Sequence, residues 1–141
     1  LERTLSAAAS IAVWAAGARY AVGLIANGAF PNADRPIRLA PSRSTDQLTR
    51  VLEALAVVQP LSMGDLAGAI QREQGRLPAG STIVVVAALV PAPLAAAMQR
   101  LVDEGHQVFL VGTAPEVAAA VPPGVPYHDV SRELMRLEAL A

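Results

Sequence analysis

The loop at residues 42–45 carries the densest set of side chains that could bind an anion or a partner. Arg43 lies there among the hydroxyl groups of Ser42, Ser44 and Thr45, directly before an expected helix. A guanidinium group with neighbouring hydroxyls can hold a carboxylate or a phosphate. The same residues also suit a solvated loop in which Ser44 or Thr45 caps the helix. We favour the solvated loop with a capping residue, and the alternative is an interaction loop at Arg43, Ser44 and Thr45.

No residue set in the sequence suits catalysis. His128 and Asp129 are neighbours near an expected strand, where adjacent side chains point to opposite faces and cannot form an oriented base. No serine stands in a nucleophile-elbow pattern, and the pair at 103–104 lacks a second acid for glycosidase chemistry. The chain has no cysteine, which excludes thiolate catalysis and disulfides. We predict that the chain is not an enzyme and has no catalytic residue.

Phosphate-binding glycine loops are also missing from the sequence, and we predict no cofactor. Thr113 follows a strand at a position where anions can bind, although Thr113 and Glu116 also match a capping box. An open parallel sheet binds ligands at the C-terminal edge of its strands. The alternative function is therefore a small-molecule or nucleotide-binding domain whose site is lined by Arg43, Thr45, Thr113 and Glu116.

Composition favours a protein partner over a nucleic acid. The apolar fraction is 53% and the charged fraction 16%, which leaves a thin polar coat and suggests that a partner, a missing segment or another copy covers part of the surface. The net charge is −1, and all 11 basic residues are arginines scattered along the chain, a pattern that disfavours nucleic-acid binding. We therefore predict a protein partner, with a homo-oligomer as an alternative.

Hydrophobic periodicity predicts the element order α-β-β-α-α-β-α-β-α-β-α within a single α/β domain over residues 1–141. The first helix, over residues 1–16, is expected to be buried on most of its circumference, with Trp14 widening its apolar face and Gly17 as its C-cap. Asn27-Gly28 is expected to be a turn between an antiparallel pair of strands. The run at 81–89 does not alternate, which indicates a parallel strand with both faces covered by helices.

Helix starts in the second half of the chain are predicted from capping residues. Ser62 and Asp65 resemble a capping box, and Thr113 with Glu116 forms another. Residues 131–141 are expected to form a terminal helix with leucines along one side. The uncharged stretch at 77–99 is long enough to span a membrane, but its prolines and β-branched run fit a strand, a turn and a helix better. We predict no membrane span.

Four segments carry a resemblance to a known family. They are LSAAASIAVWAAGARYAVGLIA at 5–26, IRLAPSRSTDQLTRVLEALAVVQP at 37–60, STIVVV at 81–86 and GHQVFLVG at 105–112. With these the chain resembles the C-terminal part of bacterial proteins of the domain-of-unknown-function 58 family, which are similar to von Willebrand factor A domains. The resemblance implies a Rossmann-like, mostly parallel sheet with helices on both faces, incomplete here because its central strand lies upstream.

The resemblance also implies a cellular setting. The full-length protein would carry membrane helices and place this soluble fragment at the cytoplasmic face, where it would act as an interaction or scaffolding domain with a MoxR-type AAA+ ATPase. A metal site of the von Willebrand type would draw oxygen ligands from three loops. The first lies upstream, the second would be at Ser44 and Thr45, and the third, at 87–91, has no oxygen-bearing side chain. We therefore predict no bound metal.

Overall fold

A computed structural model describes residues 2–29, 36–58, 65–73 and 75–133 of the chain. The element order agrees with the prediction as far as the last strand. The elements are α1 Glu2–Gly17, β1 Val22–Ala29, β2 Pro36–Ser42, α2 Gln47–Val57, α3 Leu66–Glu73, β3 Thr82–Ala87, α4 Ala92–Asp103, β4 Gln107–Gly112, the 3-10 helix η1 Pro115–Ala120 and β5 Tyr127–Asp129. The structure is therefore mixed α/β, with a three-stranded parallel sheet flanked by helices.

Contacts divide the chain into two compact units. The N-terminal unit comprises Leu5–Arg72, and the C-terminal unit comprises Leu1–Thr4 with Glu73–Ala141. Each unit has its own sheet, a β1-β2 pair in the first and the order β3-β4-β5 in the second. The prediction of one domain over 1–141 stays a prediction.

In the N-terminal unit, β1 and β2 form the antiparallel pair that the sequence predicted, but Asn27-Gly28 is not a turn. Both residues lie within β1, where the register moves from Ala26 opposite Ile37 to Ala29 opposite Pro36. Three steps along β1 therefore match one step along β2. The Asn-Gly pair lies at an irregularity of the strand ladder instead of in a turn. Both places suit residues that tolerate unusual backbone conformations.

The core of this unit joins α1 and α2 to the β1-β2 pair. Ala12, Val51 and Leu55 form its buried centre, and half-buried apolar residues of both strands pack against it. The prediction that α1 is buried on most of its circumference is wrong. The described side chains of α1 that are fully buried are Ala7 and Ala12, whereas Trp14 is 66% exposed. Most of the other side chains of α1 are half-buried or exposed.

In the C-terminal unit, β3, β4 and β5 are parallel neighbours in chain order, and α4 and η1 both contact β4. The predicted covering of both sheet faces is wrong for this unit, because burial alternates along β3 and β4. Val85 and Leu110 are buried, while Val84 and Phe109, which pair with each other, are each 39% exposed. The uncharged run therefore forms a strand with one covered face and one partly open apolar face.

The outer edge of β3 is open among the residues that the structure describes. The carbonyl oxygens of Ser81 and Ala87 accept hydrogen bonds from the β4 side, at Gln107 and Thr113. Backbone groups alternate in direction along a strand, so Thr82 and the two alternate residues after it direct their N–H and C=O groups away from β4. No described strand pairs with that edge.

Of the helix starts predicted from the sequence, the cap at Thr113 is wrong because its hydroxyl bonds elsewhere, whereas the helix expected from Ser131 begins as predicted. Thr113 does not cap η1: its buried hydroxyl lies 3.0 Å from that of Thr4, and the residue before η1 is Ala114. Asp65 itself accepts the Gly68 N–H at the start of α3, while Ser62 lies outside the described residues. In the predicted terminal helix, residues 131–133 are helical and 134–141 lie outside the described part.

No described helix is long and apolar enough to cross a membrane. The uncharged stretch at 77–99 divides into β3 and the first turns of α4, in agreement with the expected strand, turn and helix.

Candidate interaction surface

The C-terminus of α1 is built on an unusual residue. The N–H of Tyr20 donates to the carbonyl of Ala15, and the N–H of Arg19 donates to that of Ala16, which is the Schellman arrangement. Arg19 therefore holds a left-handed backbone with φ of 67°. Glycine normally occupies that position because a Cβ atom there is strained. The predicted cap, Gly17, is instead the last residue of the helix.

Helix α4 ends with the same hydrogen bonds and provides an internal comparison. The N–H of His106 donates to Leu101 and that of Gly105 to Val102, so Gly105 is the equivalent of Arg19. The φ of Gly105 is 93°, and the residue carries no strain. Arg19 is the only non-glycine residue with positive φ within the described ranges. The end of α1 thus has a long cationic side chain at the position where the end of α4 has glycine.

Arg43, the basic residue of the predicted interaction loop, is fixed to this same turn. Its Nε donates to the carbonyl oxygen of Arg19 at 3.1 Å. Beside them the rings of Trp14 and Tyr20 lie 5.9 Å apart between centroids, tilted by 32°. Trp14 is 66% and Tyr20 58% exposed. We name these four residues, Trp14, Arg19, Tyr20 and Arg43, the aromatic–arginine surface.

The remainder of the loop forms a small polar network at the start of α2. The hydroxyl of Ser44 donates to one carboxylate oxygen of Asp46 at 2.7 Å, and Arg50 donates to the other at 2.8 Å. The Ser44 hydrogen bond, followed by the backbone N–H of Asp46 and the charge of Arg50, holds the pKa of Asp46 below its ordinary value. The predicted cap at Ser44 or Thr45 is wrong: Asp46 is the residue before α2, and Thr45 is exposed.

Below the loop, Gln47 fixes α2 to both strands of its unit. Its buried side-chain amide donates to the carbonyl of Val22 at 2.8 Å and to that of Ala40 at 2.9 Å. One side chain thereby joins the first residue of α2 to β1 and β2. The loop at 43–46 is held between this anchor and the end of β2, so the position of Arg43 follows from the core and not from the loop alone.

The sequence interpretation missed Trp14, Tyr20 and Arg19. Trp14 was assigned to the apolar face of α1, yet it follows the buried Ala12 by two residues. That separation is about 200° around a helix, which directs the ring away from the cluster formed by Ala12, Val51 and Leu55. No sequence pattern places Arg43 against a residue 24 positions earlier.

The residues of the alternative ligand site fall into different parts of the fold. Arg43 and Thr45 belong to the N-terminal unit, and Thr113 and Glu116 to the C-terminal unit. The Thr113 hydroxyl is buried and already paired with Thr4, while Glu116 is exposed. A groove in the described structure lies elsewhere, between β2 and α2 beside Val57. The ligand-binding alternative stays a prediction.

The chain matches no protein-family model, no curated protein and no solved structure. Among the residues that the structure describes, no three His, Asp or Glu side chains come together in a group that could hold a metal ion.

The network at Asp46 gives a prediction for pH dependence. A carboxyl group with a lowered pKa in the folded state stabilises that state above its ordinary pKa, and the contribution is lost as the pH falls through the folded value. We expect Asp46→Asn to lower the free energy of unfolding at neutral pH. The difference from the wild type should shrink as the pH falls below 3.8, the ordinary value for the group. Urea unfolding across this range measures it, with Arg50→Gln expected to reduce the same pH dependence; an equal difference at every pH would contradict it.

The strained turn gives a second prediction. A left-handed conformation costs an L-residue about 1–2 kcal/mol, which glycine avoids. Glycine also loses more conformational freedom on folding, and this loss cancels part of the stability gained by removing the strain. We expect Arg19→Gly to raise the free energy of unfolding by roughly 0.5–1 kcal/mol. Arg19→Ala, which keeps a Cβ atom, should show no such gain in urea unfolding. Destabilisation by glycine would mean that the side chain of Arg19 supports the fold.

Proposed function

We propose that this chain is a non-enzymatic protein–protein interaction domain of the von Willebrand A-like type. The observation that carries the proposal is the exposed Trp14–Tyr20 pair beside Arg19 and Arg43. Tryptophan, tyrosine and arginine are the residues most enriched at the energetic centres of protein interfaces. Exposing two neighbouring aromatic rings to water has no benefit for folding, since their apolar area would stabilise the core if it were buried.

The fold supports a scaffolding role of this kind. Within the described ranges, no strand pairs with the outer edge of β3 or with the outer edges of the β1-β2 pair, so each can receive an added strand. In the von Willebrand A-like arrangement that we propose, an upstream strand pairs with such an edge and completes the sheet. The resemblance supplies the rest of the setting: a longer protein at the cytoplasmic face of a membrane, with a MoxR-type AAA+ ATPase as its partner.

Direct binding tests the proposal. A MoxR-type ATPase from the same source is titrated against this chain by biolayer interferometry. We expect binding in the micromolar range and a loss of at least tenfold in affinity for Trp14→Ala, because interface tryptophans often contribute 2 kcal/mol or more, roughly thirtyfold. Leu89→Ala is the matched control, since Leu89 is 71% exposed and belongs to the C-terminal unit. Equal losses for both variants, or no binding, would overturn the proposal.

The same preparation separates this function from the ligand-binding alternative. Thermal unfolding is measured with magnesium and with a panel of nucleotides. A ligand at a hundredfold excess over its Kd stabilises the folded state by about 2.7 kcal/mol, which appears as a shift of several degrees. A shift with a nucleotide that depends on Thr113 or Glu116 would favour the alternative over the interaction domain.

A further inference from the structure

We infer that the aromatic–arginine surface binds an acidic segment of a partner protein. This inference rests on the proposed function and adds the chemistry of the partner. The surface offers two exposed aromatic rings and two guanidinium groups from elements that are far apart in the chain, the end of α1 and the loop after β2.

The charges of this surface are not neutralised within the described structure. The Nε of Arg43 donates to a backbone carbonyl, which leaves the outer nitrogens of its guanidinium for other acceptors. Asp46, three residues after Arg43, is committed to Ser44 and Arg50. Within the described residues neither Arg19 nor Arg43 has a carboxylate partner. The surface therefore carries two positive charges that can bind an anion.

The side-chain chemistry fits a carboxylate-bearing peptide. A guanidinium group binds a carboxylate through two parallel hydrogen bonds, and an apolar residue next to that acid can lie against the rings of Trp14 and Tyr20. Residue 19 is an arginine, although its left-handed backbone conformation favours glycine. A strained residue of this kind is held by its surroundings and is often functional.

The number of charges decides between a peptide and other anions. Nucleic acids and anionic membranes are bound by many basic residues acting together, with affinity that rises with each one. This surface has two arginines, and the whole chain has a net charge of −1 and no lysine. Two arginines beside two aromatic rings suit a short acidic and apolar segment.

Trp14 makes the test direct, because it is the only tryptophan in the chain and lies within the proposed surface. The full chain is titrated with a synthetic peptide of glutamate, leucine and glycine while tryptophan emission is recorded. A charge-reversed peptide with lysine for glutamate and vesicles rich in phosphatidylserine are titrated in parallel. We expect a saturable blue shift with the acidic peptide alone, weakened by added salt.

Variants separate recognition from folding. Removing one exposed ion pair weakens binding about two- to fivefold, so Arg19→Gly combined with Arg43→Gln should weaken it about tenfold. Arg19→Gly alone should weaken binding while the thermal unfolding temperature stays the same or rises. Arg100→Gln, at an exposed arginine of α4, is the control and should bind as the wild type does.

Each remaining outcome overturns the inference. Equal binding of both peptides would mean that the rings alone make the contact, and a response to vesicles without the peptide would assign the surface to a membrane. No change in tryptophan emission with the acidic peptide would contradict the inference that the partner is acidic. None of these results decides the ATPase experiment, in which the effect of Trp14→Ala tests the interaction function independently of charge.

Discussion

Replacing Gly23 by alanine is expected to lower the free energy of unfolding of the N-terminal unit by roughly 3 kcal/mol, at the upper end of what overpacking costs. A Cβ atom at Gly23 would lie 2.7 Å from the carbonyl oxygen of Leu39 and 2.9 Å from the nitrogen of Pro41. Both are backbone atoms of the neighbouring strand, so no side chain can rotate to make room. The substitution must separate β1 from β2 where their register is already irregular.

Gly17→Ala is the matched control for this effect. Gly17 ends α1, and a Cβ atom there would meet nothing within 4 Å. Alanine favours a helix over glycine by about 1 kcal/mol, so this variant should be slightly more stable than the wild type. Urea unfolding followed by the fluorescence of Trp14, in the same unit, measures both variants. Equal stability of the two would mean that the close approach at Gly23 is relaxed at little cost.

Gln47→Ala is expected to lower the free energy of unfolding by about 2–3 kcal/mol. The substitution removes two hydrogen bonds and leaves the carbonyl oxygens of Val22 and Ala40 without the donor that joins them to α2. A net hydrogen bond contributes about 1 kcal/mol, and a carbonyl left without a partner adds a desolvation cost. Gln47→Glu should be at least as harmful at neutral pH, because a carboxylate would face two carbonyl oxygens.

Gln99→Ala provides the comparison for Gln47. Gln99 is also a helical glutamine, but its amide reaches Asp103 at 3.3 Å on an exposed surface. Its replacement should change stability by less than about 0.5 kcal/mol, as is usual at a surface site. If Gln47→Glu regained stability as the pH fell and the carboxyl became protonated, the donor role of the amide would be supported. A small effect for Gln47→Ala would contradict it.

The order of the elements was predictable because it follows from hydrophobic periodicity. The unbroken β-branched run at the start of β3 indicates a strand, and the spacing of Val51 and Leu55 in α2 matches the period of a helix. Helix starts were less predictable. Thr113 has the right neighbours for a cap, yet its hydroxyl is used by Thr4, more than a hundred residues away. A tertiary contact thus overrides the local preference of Thr113 for capping a helix.

The aromatic–arginine surface was only partly predictable from the sequence, because a tertiary contact assembles it. The loop at Arg43 stands out from its residue types, because a guanidinium among hydroxyls is a recognisable anion-binding set. Arg19 and Trp14 do not stand out in this way, because Arg19 lies after the end of α1 and Trp14 lies in a helix made largely of small and apolar residues. What assembles the surface is a single hydrogen bond from Arg43 to a main-chain carbonyl. Sequence patterns report side-chain types and do not report where a carbonyl oxygen will lie.

The outer edge of β3, with which no strand of the described part of the chain pairs, also affects how the chain behaves in a crowded solution. Its six residues, Thr82–Ala87, include no charge, no proline and no glycine that would discourage another strand from adding to them. Each copy of the chain can therefore pair with another copy along this edge. Such association depends on how often copies meet and does not require the chain to unfold. Whatever strand covers this edge acts as a solubility device as well as a structural part, and an early arrival of that strand during synthesis would protect the newly made sheet.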